Sequence, residues 1–129
     1  MICVDTDALI SILRDENDSE SILERLDKES TSTTVINYYE LIFGALRSQN
    51  KEENINETKK LLTKMKILEM SEESAEKAAE IHSELYETGK LIDLKDILIA
   101  SIAITNGKKI LTRNEKDFSK IKGLKTEKW

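Results

Sequence analysis

Four acidic residues near predicted helix starts are the candidates for chemistry: Asp5, Glu40, Asp96 and Asp117. Carboxylate oxygens are hard ligands, and a cluster rich in carboxylates but poor in histidine suits Mg²⁺ or Mn²⁺. The chain has one histidine and one cysteine, so metal sites built from those residues are not expected. The first chemistry to consider is therefore the binding of a divalent cation by oxygen ligands.

Three predicted helices begin with the same pattern, an Asn or Asp followed three positions later by an acid. The segments are Asn37–Glu40, Asp93–Asp96 and Asn114–Asp117. Asn and Asp are favoured N-cap residues, and an acid in the first turn interacts well with the positive end of the helix dipole. Taken one at a time, these pairs are better explained as helix caps than as catalytic groups.

Two observations favour a functional role when the acids are considered together. Asp96 begins a helix whose following residues, 97–104, are almost all apolar, so its carboxylate loses hydration unless a cation or backbone N–H groups compensate. Asp5, Glu40 and Asp117 each lie past a predicted strand, and such positions share one edge of a parallel sheet. Carboxylates at one edge repel each other unless they are protonated or bridged by cations.

Hydrophobic periodicity predicts short strands that alternate with helices. Strands are predicted over Ile2–Val4, Ser30–Ile36, 66–70 and 108–112, with 124–129 as a last edge strand. Helices are predicted over 7–14, 19–29, 38–49, 51–65, 71–89, 96–107 and 114–121. This alternation predicts an α/β domain with a mostly parallel sheet.

The length and composition of the chain limit its class. Its 129 residues are expected to form one domain, 1–129, because no linker or repeat divides them. No apolar run reaches the roughly 20 residues that cross a membrane, so no membrane association is expected. The N-terminus lacks the layout of a secretory signal, which favours a cytoplasmic location.

Charge is unevenly distributed along the chain, which carries −5 overall at pH 7. Residues 108–129 hold eight Lys or Arg against three acids, so this segment is net +5 and the rest is net −10. An acidic body does not attract polyanions at long range, whereas a basic strip does so locally. For any single lysine, a solvated surface position is the simpler interpretation.

With these features in view, the chain resembles the PIN-domain ribonucleases of the VapC toxin type, which occur in bacterial and archaeal toxin–antitoxin pairs. Four stretches in family order carry the resemblance: VDTDALI, YYELIFGA, DILIASIAI and ILTRNEKDFSKIKGLKTEKW. Each stretch is weakly specific alone, but together they are specific and span the full chain. The resemblance implies three α/β/α layers around a short, mostly parallel sheet.

The resemblance also implies roles for the acids. Asp5, Glu40 and Asp96 match the family's catalytic, metal-binding acids, and Asp117 is expected to be the fourth. Asn114 is expected to be its polar neighbour, because this chain has Asn where some relatives have Asp. This departure from the all-acidic pattern bears on how tightly a second metal binds.

Further roles are implied for polar residues in the same stretches. Thr6 and Thr112 are expected to orient metal-bound water. Arg113 is expected to contact flanking RNA phosphates, whereas Lys116 is expected to be solvated. The implied reaction is hydrolysis of RNA phosphodiester bonds assisted by one or two Mg²⁺ or Mn²⁺ ions.

Three partners follow from the resemblance: an RNA substrate, a cognate antitoxin and a second copy of the chain in a homodimer. Two amphipathic helices could serve either as partner surfaces or as core. Their apolar residues are Ile22, Leu23 and Leu26 in the first and Leu41, Ile42 and Leu46 in the second.

Two other functions stay open from sequence. The stretch ICVDTDAL superficially fits the Asp-x-Asp loop of haloacid-dehalogenase-type phosphatases, in which the first Asp attacks phosphorus. However, Leu9 stands where that family carries Thr or Val, and the chain is short for that fold. The other alternative is a non-catalytic PIN-like module that binds RNA or protein, which the intact Asp5, Glu40 and Asp96 argue against.

Four residues with reactive or polar side chains are expected to have structural roles. Asp7 is expected to face the first helical turn, and Cys3 is expected to pack in the core. His82 is expected to be packed or at an interface, and Trp129 to cover the sheet edge.

Overall fold

A computed structural model describes residues 1–16, 19–28 and 30–129. Its strands are β1 (Ile2–Val4), β2 (Thr31–Thr34), β3 (Lys66–Leu68), β4 (Lys109–Leu111) and β5 (Thr126–Glu127). They form one sheet in the order β3-β2-β1-β4-β5, and every neighbouring pair is parallel. The carboxyl ends of all these strands therefore lie along one edge of the sheet, as predicted.

Seven helices cover the two faces of the sheet. They are α1 (Thr6–Leu13), α2 (Ser19–Lys28), α3 (Val35–Leu46), α4 (Lys51–Leu62), α5 (Glu72–Thr88), α6 (Leu94–Thr105) and α7 (Glu115–Phe118) within the described ranges. The sequence predicted each of these helices, and β5 is the edge strand expected near the C-terminus. Glu29, the last residue of one predicted helix, lies outside the described residues.

Alternating side chains of β1 separate two hydrophobic cores. Cys3 points into a core packed by α5, α6 and α7, where burial raises the pKa of its thiol to about 12. Ile2 and Val4 point to the opposite face, into a core built by α1, α2, α3 and α4. This arrangement confirms the predicted α/β/α layers and the packing role of Cys3.

Helix α6 lies in the interior, as its nearly continuous apolar sequence predicts. Ile97, Ile99, Ala100 and Ile102 are at most 2% exposed. Their packing fixes the N-terminal turn of the helix, which carries Asp96, against the sheet.

The second strand is shorter than predicted, because it ends at Thr34 rather than Ile36. Thr34 is the N-cap of α3, and its Oγ1 accepts a hydrogen bond from the Asn37 backbone N–H at 3.1 Å. The Asn37 side-chain oxygen accepts in return from the Thr34 N–H at 3.1 Å, which completes a capping box. Asn37 therefore lies at the third helical position and does not begin the helix as predicted.

The apolar residues of the two amphipathic helices are mostly core. Ile22, Leu26 and Leu41 are no more than 7% exposed, whereas Leu46 is 47% exposed. His82 is exposed on α5, so it does not pack in the core, and its alternative place at an interface stays a prediction. Within the described ranges, no helix is both long enough and apolar enough to span a membrane.

Candidate active site

Asp5 lies where β1 passes into α1, at the carboxyl edge of the sheet. Its backbone N–H donates to the Leu111 carbonyl at 3.0 Å, so the residue still follows the ladder with β4. Its side chain is the N-cap of α1, and Oδ1 accepts from the Thr6 N–H at 2.9 Å. This carboxylate therefore caps its own helix, yet the residue is only 6% exposed and has further partners.

Two polar side chains from neighbouring elements hold the Asp5 carboxylate. Thr112, just past β4, donates its hydroxyl to Oδ2 at 2.7 Å. Asn37, in the first turn of α3, donates its Nδ2 to Oδ1 at 3.1 Å and to the Thr6 hydroxyl at 2.8 Å. Thr112 and Asn37 are both completely buried. The side chain of Asp5 is therefore fixed by the segments that follow β2 and β4, as well as by its own helix α1.

Glu40 joins the same network from the second turn of α3. The Thr6 hydroxyl donates to Glu40 Oε1 at 3.0 Å, so Thr6 links Glu40 to Asn37 and Asp5. Lys95 forms an ion pair with Glu40 Oε2 at 3.5 Å across the helix interface. The Glu40 side chain is 23% exposed, which leaves it accessible at the rim of the network.

Asp96 lies in the first turn of α6 and is half-buried. Asp93 is the N-cap of that helix, and its side chain accepts from the Lys95 N–H at 2.9 Å, as the cap pattern predicted. The Asp96 carboxylate is not the cap, and its Oδ2 accepts instead from Asn114 Nδ2 at 3.3 Å. Asn114 in turn donates its backbone N–H to the Thr112 hydroxyl at 2.9 Å, which connects Asp96 to the Asp5 network.

Asp117 lies in the short helix α7. Its side chain is 34% exposed and forms an ion pair with Lys120 at 3.5 Å. Its charge acts on the carboxyl of Asp96, so the two groups lie near each other. Asn114 and Asp117 both border Asp96, and the assignment of Asp117 as the fourth acid stays a prediction.

The carboxyl groups of Asp5 and Asp96 have raised pKa values, because both are poorly hydrated and lie near other acids. Burial raises the pKa of the Asp5 carboxyl to about 7, and the charge of Asp7 adds to this effect. Burial also raises the pKa of Asp96 to about 6, with the charges of Asp93 and Glu40 as the next causes. A nearby positive charge would favour the ionised carboxylates.

The donor set fits a hard divalent cation, because carboxylate, hydroxyl and amide oxygens are the ligands that Mg²⁺ prefers. However, across the described residues no three His, Cys, Asp or Glu side chains are gathered in a metal-binding group. The carboxylates bind the polar side chains of Thr6, Asn37, Thr112 and Asn114 instead of converging on one point. Common coordination by Asp5 and Asp96 would therefore require side-chain rotations.

Asp7 has partners that its sequence position did not predict. Its Oδ2 accepts from the Arg113 backbone N–H at 3.0 Å and lies 3.3 Å from the Thr112 hydroxyl. Asp7 thus ties α1 to the segment that follows β4, beyond the first helical turn that it was expected to face. The Asp-x-Asp spacing with Asp5 was the one signal that placed it near the site.

Arg113 is exposed at the rim of the site, where it was expected. Its guanidinium carbon lies 4.4 Å from the ring centroid of Trp129, a distance typical of cation–π contact. Trp129 packs against the core of α1–α4 on its other side. The side chain of Arg113 therefore has a defined position next to Thr112.

Asn37 is the functional candidate that sequence reasoning missed, because it was treated only as a helix start. Its side chain contacts both Asp5 and Thr6 while closing the capping box with Thr34. The spacing of Thr34 and Asn37 is that of a capping box and would have placed Asn37 inside the helix.

Comparison with known proteins gives this site a context. A family model described as the PIN domain matches residues 2–124. The chain is 30% identical over 125 residues to the tRNA(fMet)-specific endonuclease VapC of Shigella flexneri, covering 95% of each chain. It is 33% identical over 108 residues to ribonuclease VapC2 of Rickettsia felis, covering 83% of this chain and 81% of the relative.

A solved structure supports the same relationship at the level of the fold. The structure of VapBC2 from Rickettsia felis, bound to a DNA fragment from the promoter, aligns with a TM-score of 0.91 and 27% identity. The alignment covers 100% of this chain and 99% of that chain. The chain belongs to the PIN-domain family and, within it, to the VapC ribonucleases.

Proposed function

We propose that this protein is a divalent-metal-dependent endoribonuclease and the toxin of a toxin–antitoxin pair. The observation that carries the proposal is the hydrogen-bond network that links Asp5, Glu40 and Asp96 at the carboxyl edge of the sheet. Carboxylates that share one network in this way fit the metal-dependent nuclease chemistry of the family. We also propose that residues 1–129 form one domain and that the protein acts in the cytoplasm, where cellular RNA is its substrate.

The residues divide the work of the proposed reaction. Asp5 and Asp96 would hold the cation, with Glu40 and Asp117 completing the shell directly or through water. A bound Mg²⁺ or Mn²⁺ ion would lower the pKa of water and polarise the scissile phosphate. The protein's own part is to orient these oxygens and to place the substrate beside them.

Neighbouring polar residues position that machinery. Thr112 and Asn37 fix the two oxygens of Asp5, and Thr6 fixes Glu40. Asn114 orients Asp96 through its amide. Arg113, held by Trp129, presents a cation at the rim where the phosphates next to the cleaved bond would lie.

The test is cleavage of a structured RNA by the purified protein with Mg²⁺ and with EDTA. We expect cleavage in Mg²⁺, none in EDTA, and a loss of about 100-fold or more in Asp5→Asn, since even residues that only orient metal ligands cost 10–100-fold. Asp27→Asn is the matched control, because Asp27 is exposed on α2 and outside the network. Equal rates in Asp5→Asn and Asp27→Asn, with both variants folded, would contradict the assignment.

An antitoxin is the second proposed partner, since the similar Rickettsia felis structure is a VapBC complex. A cavity of about 230 Å³ opens beside Glu40 and is lined in part by Ile10, Leu13 and Leu41. We propose that an apolar antitoxin segment enters this cavity next to the acids and thereby blocks RNA.

The third proposed partner is a second copy of the chain, in a homodimer. Tyr39 and Phe43 stack with ring centroids 6.1 Å apart on the outer face of α3, and they are 58% and 54% exposed. Leu46 extends this apolar surface by one turn. Light scattering should give a dimer mass for the wild type and a smaller mass for Phe43→Ser.

A further inference from the structure

A basic cavity lies at the opposite edge of the sheet from the acids. Its volume is about 390 Å³, and three of its lining side chains are Lys108, Lys109 and Lys125. Among the described residues that line it, none is acidic. Because β4 rises about 3.3 Å per residue, the cavity lies roughly 10 Å or more from Thr112 and the proposed active site.

Two of the three lysines that line this cavity lack, among the described residues, the ion pairs that most lysines of the basic segment form. Four lysines of 108–129 form ion pairs with acids: Lys109, Lys120, Lys122 and Lys128. By contrast, Lys108, Lys116 and Lys125 form no ion pair with any residue that the structure describes. Two of these three, Lys108 and Lys125, line the same cavity, beside Lys109, whose ion pair with Glu127 is long at 3.9 Å.

Lys108 has only a weak acceptor among the residues that the structure describes. It is half-buried, and its Nζ lies 3.1 Å from the Met1 sulfur, which is a weak acceptor. An ammonium group has three donors, and a phosphate oxygen would satisfy them far better than a thioether.

The backbone of the cavity also permits close approach. Gly107 and Gly123 line it in left-handed conformations, with φ of 66° and 81°. A Cβ at either position would meet nothing within 4 Å, so the space above each glycine is open. A bulky oxyanion can therefore reach the main chain between the lysine side chains.

We propose that this cavity binds the phosphodiester backbone of RNA at a position remote from the cleaved bond. The proposal rests on the proposed function, since the RNA substrate supplies the polyanion. Lys108 and Lys125 would each contact a backbone phosphate, with Lys109 nearby. Such a site would add affinity for longer RNA without taking part in the chemistry.

The test measures binding of a fluorescent single-stranded RNA by anisotropy in EDTA, where no cleavage occurs. We compare Lys108→Gln/Lys125→Gln with the matched double variant Lys64→Gln/Lys66→Gln. Lys66 begins β3 as Lys109 begins β4, so the control removes two charges from the same edge of the sheet, away from the cavity. Thermal unfolding checks that both double variants are folded. If Lys108→Gln/Lys125→Gln is not folded, the single variant Lys125→Gln replaces it.

Loss of two phosphate contacts makes the slope of log binding constant against log salt concentration shallower by about 1.4 for a single strand. Near physiological salt, the same loss lowers the affinity about tenfold. We expect this loss in the cavity variant and an unchanged slope in the control. Equal losses in both variants would indicate only a general effect of net charge and would overturn the proposal, as would unchanged binding in both.

Free phosphate is the other source of the same chemistry, and a second measurement separates the two. Amide resonances of Gly107 and Gly123 are followed by NMR during titration with inorganic phosphate at constant ionic strength. Saturable shifts together with unchanged RNA affinity in the cavity variant would assign the cavity to free phosphate and overturn the RNA site. RNA cleavage with Mg²⁺ is measured separately from RNA binding. Failure of the cavity to bind RNA would therefore leave the proposed nuclease function intact, and absence of cleavage would contradict the nuclease function without bearing on the cavity.

Discussion

Asp5 has an unfavourable electrostatic environment for its carboxylate, because it is nearly buried and lies beside other acids. Burial and the charge of Asp7 raise its pKa from 3.8 to about 7, so the folded protein binds this proton more tightly than the unfolded chain does. By linkage, the free energy of unfolding then decreases as pH rises from about 4 to about 7. Asp96 acts in the same direction, since its pKa is raised to about 6.

This linkage gives a prediction for the metal-free protein. Urea unfolding in EDTA should show that the wild type loses stability between about pH 4 and about pH 7. Asp5→Asn should lose less over the same interval, because the amide does not titrate. An identical pH dependence in Asp5→Asn and wild type would mean that the Asp5 proton is not bound more tightly on folding.

The elements of the fold were predictable from sequence where a simple pattern fixes them. The apolar run after Asp96 predicted a buried helix, and α6 is buried; the strand pattern predicted a parallel sheet. The end of β2 was predicted two residues too late, because the β-branched residues Val35 and Ile36 favour a strand locally. The capping box at Thr34 overrides that preference.

The site was predictable at the level of its acids but not of their supporting contacts. Position after a strand predicted that Asp5 and Glu40 would share an edge, and Thr6 does link them. The roles of Asn37 and Asp7 depend on which strands are neighbours and on side-chain rotamers. A single sequence does not specify either, so the hydrogen bonds that orient Asp5 became visible only in the structure.

Two capping boxes allow a comparison between elements, one at α3 beside the site and one at α5 away from it. Ser71→Ala removes the acceptor for the Ser74 N–H and should lower the free energy of unfolding by about 1 kcal/mol without changing cleavage. Asn37→Ala should cost about 1–3 kcal/mol, because it leaves a buried N–H of Thr34 unpaired, and it should also reduce cleavage.

Urea unfolding and RNA cleavage, measured on both variants, check this contrast. If Asn37→Ala cleaves RNA as fast as Ser71→Ala, then Asn37 is only a helix cap. Its contact with the Asp5 carboxylate would then have no part in catalysis.

At the scale of the whole molecule, the acids come from both helical layers. Asp5 begins α1 and Glu40 lies on α3, whereas Asp96 lies on α6, which packs on the opposite face of the sheet. A cation shared among them would join the two layers at one edge of the sheet. It would also relieve repulsion in a chain that is net −10 outside its last 22 residues.

Mg²⁺ should therefore stabilise the folded protein as a ligand of the native state. At a concentration of 100 times its dissociation constant, the gain is about 2.7 kcal/mol in the free energy of unfolding. Differential scanning calorimetry at constant ionic strength should show this gain in wild type and in Asp27→Asn but not in Asp5→Asn. A similar gain in all three proteins would indicate general screening of charge rather than a site.

The most direct test of the central claim is a crystal structure with Mn²⁺, which can be located by its anomalous scattering. We expect an anomalous peak within coordination distance of Asp5 and Asp96, with Glu40 or Asp117 bound directly or through water. Well-ordered crystals in saturating Mn²⁺ that show no peak between these carboxylates, or a peak at an unrelated surface, would contradict the proposed metal site.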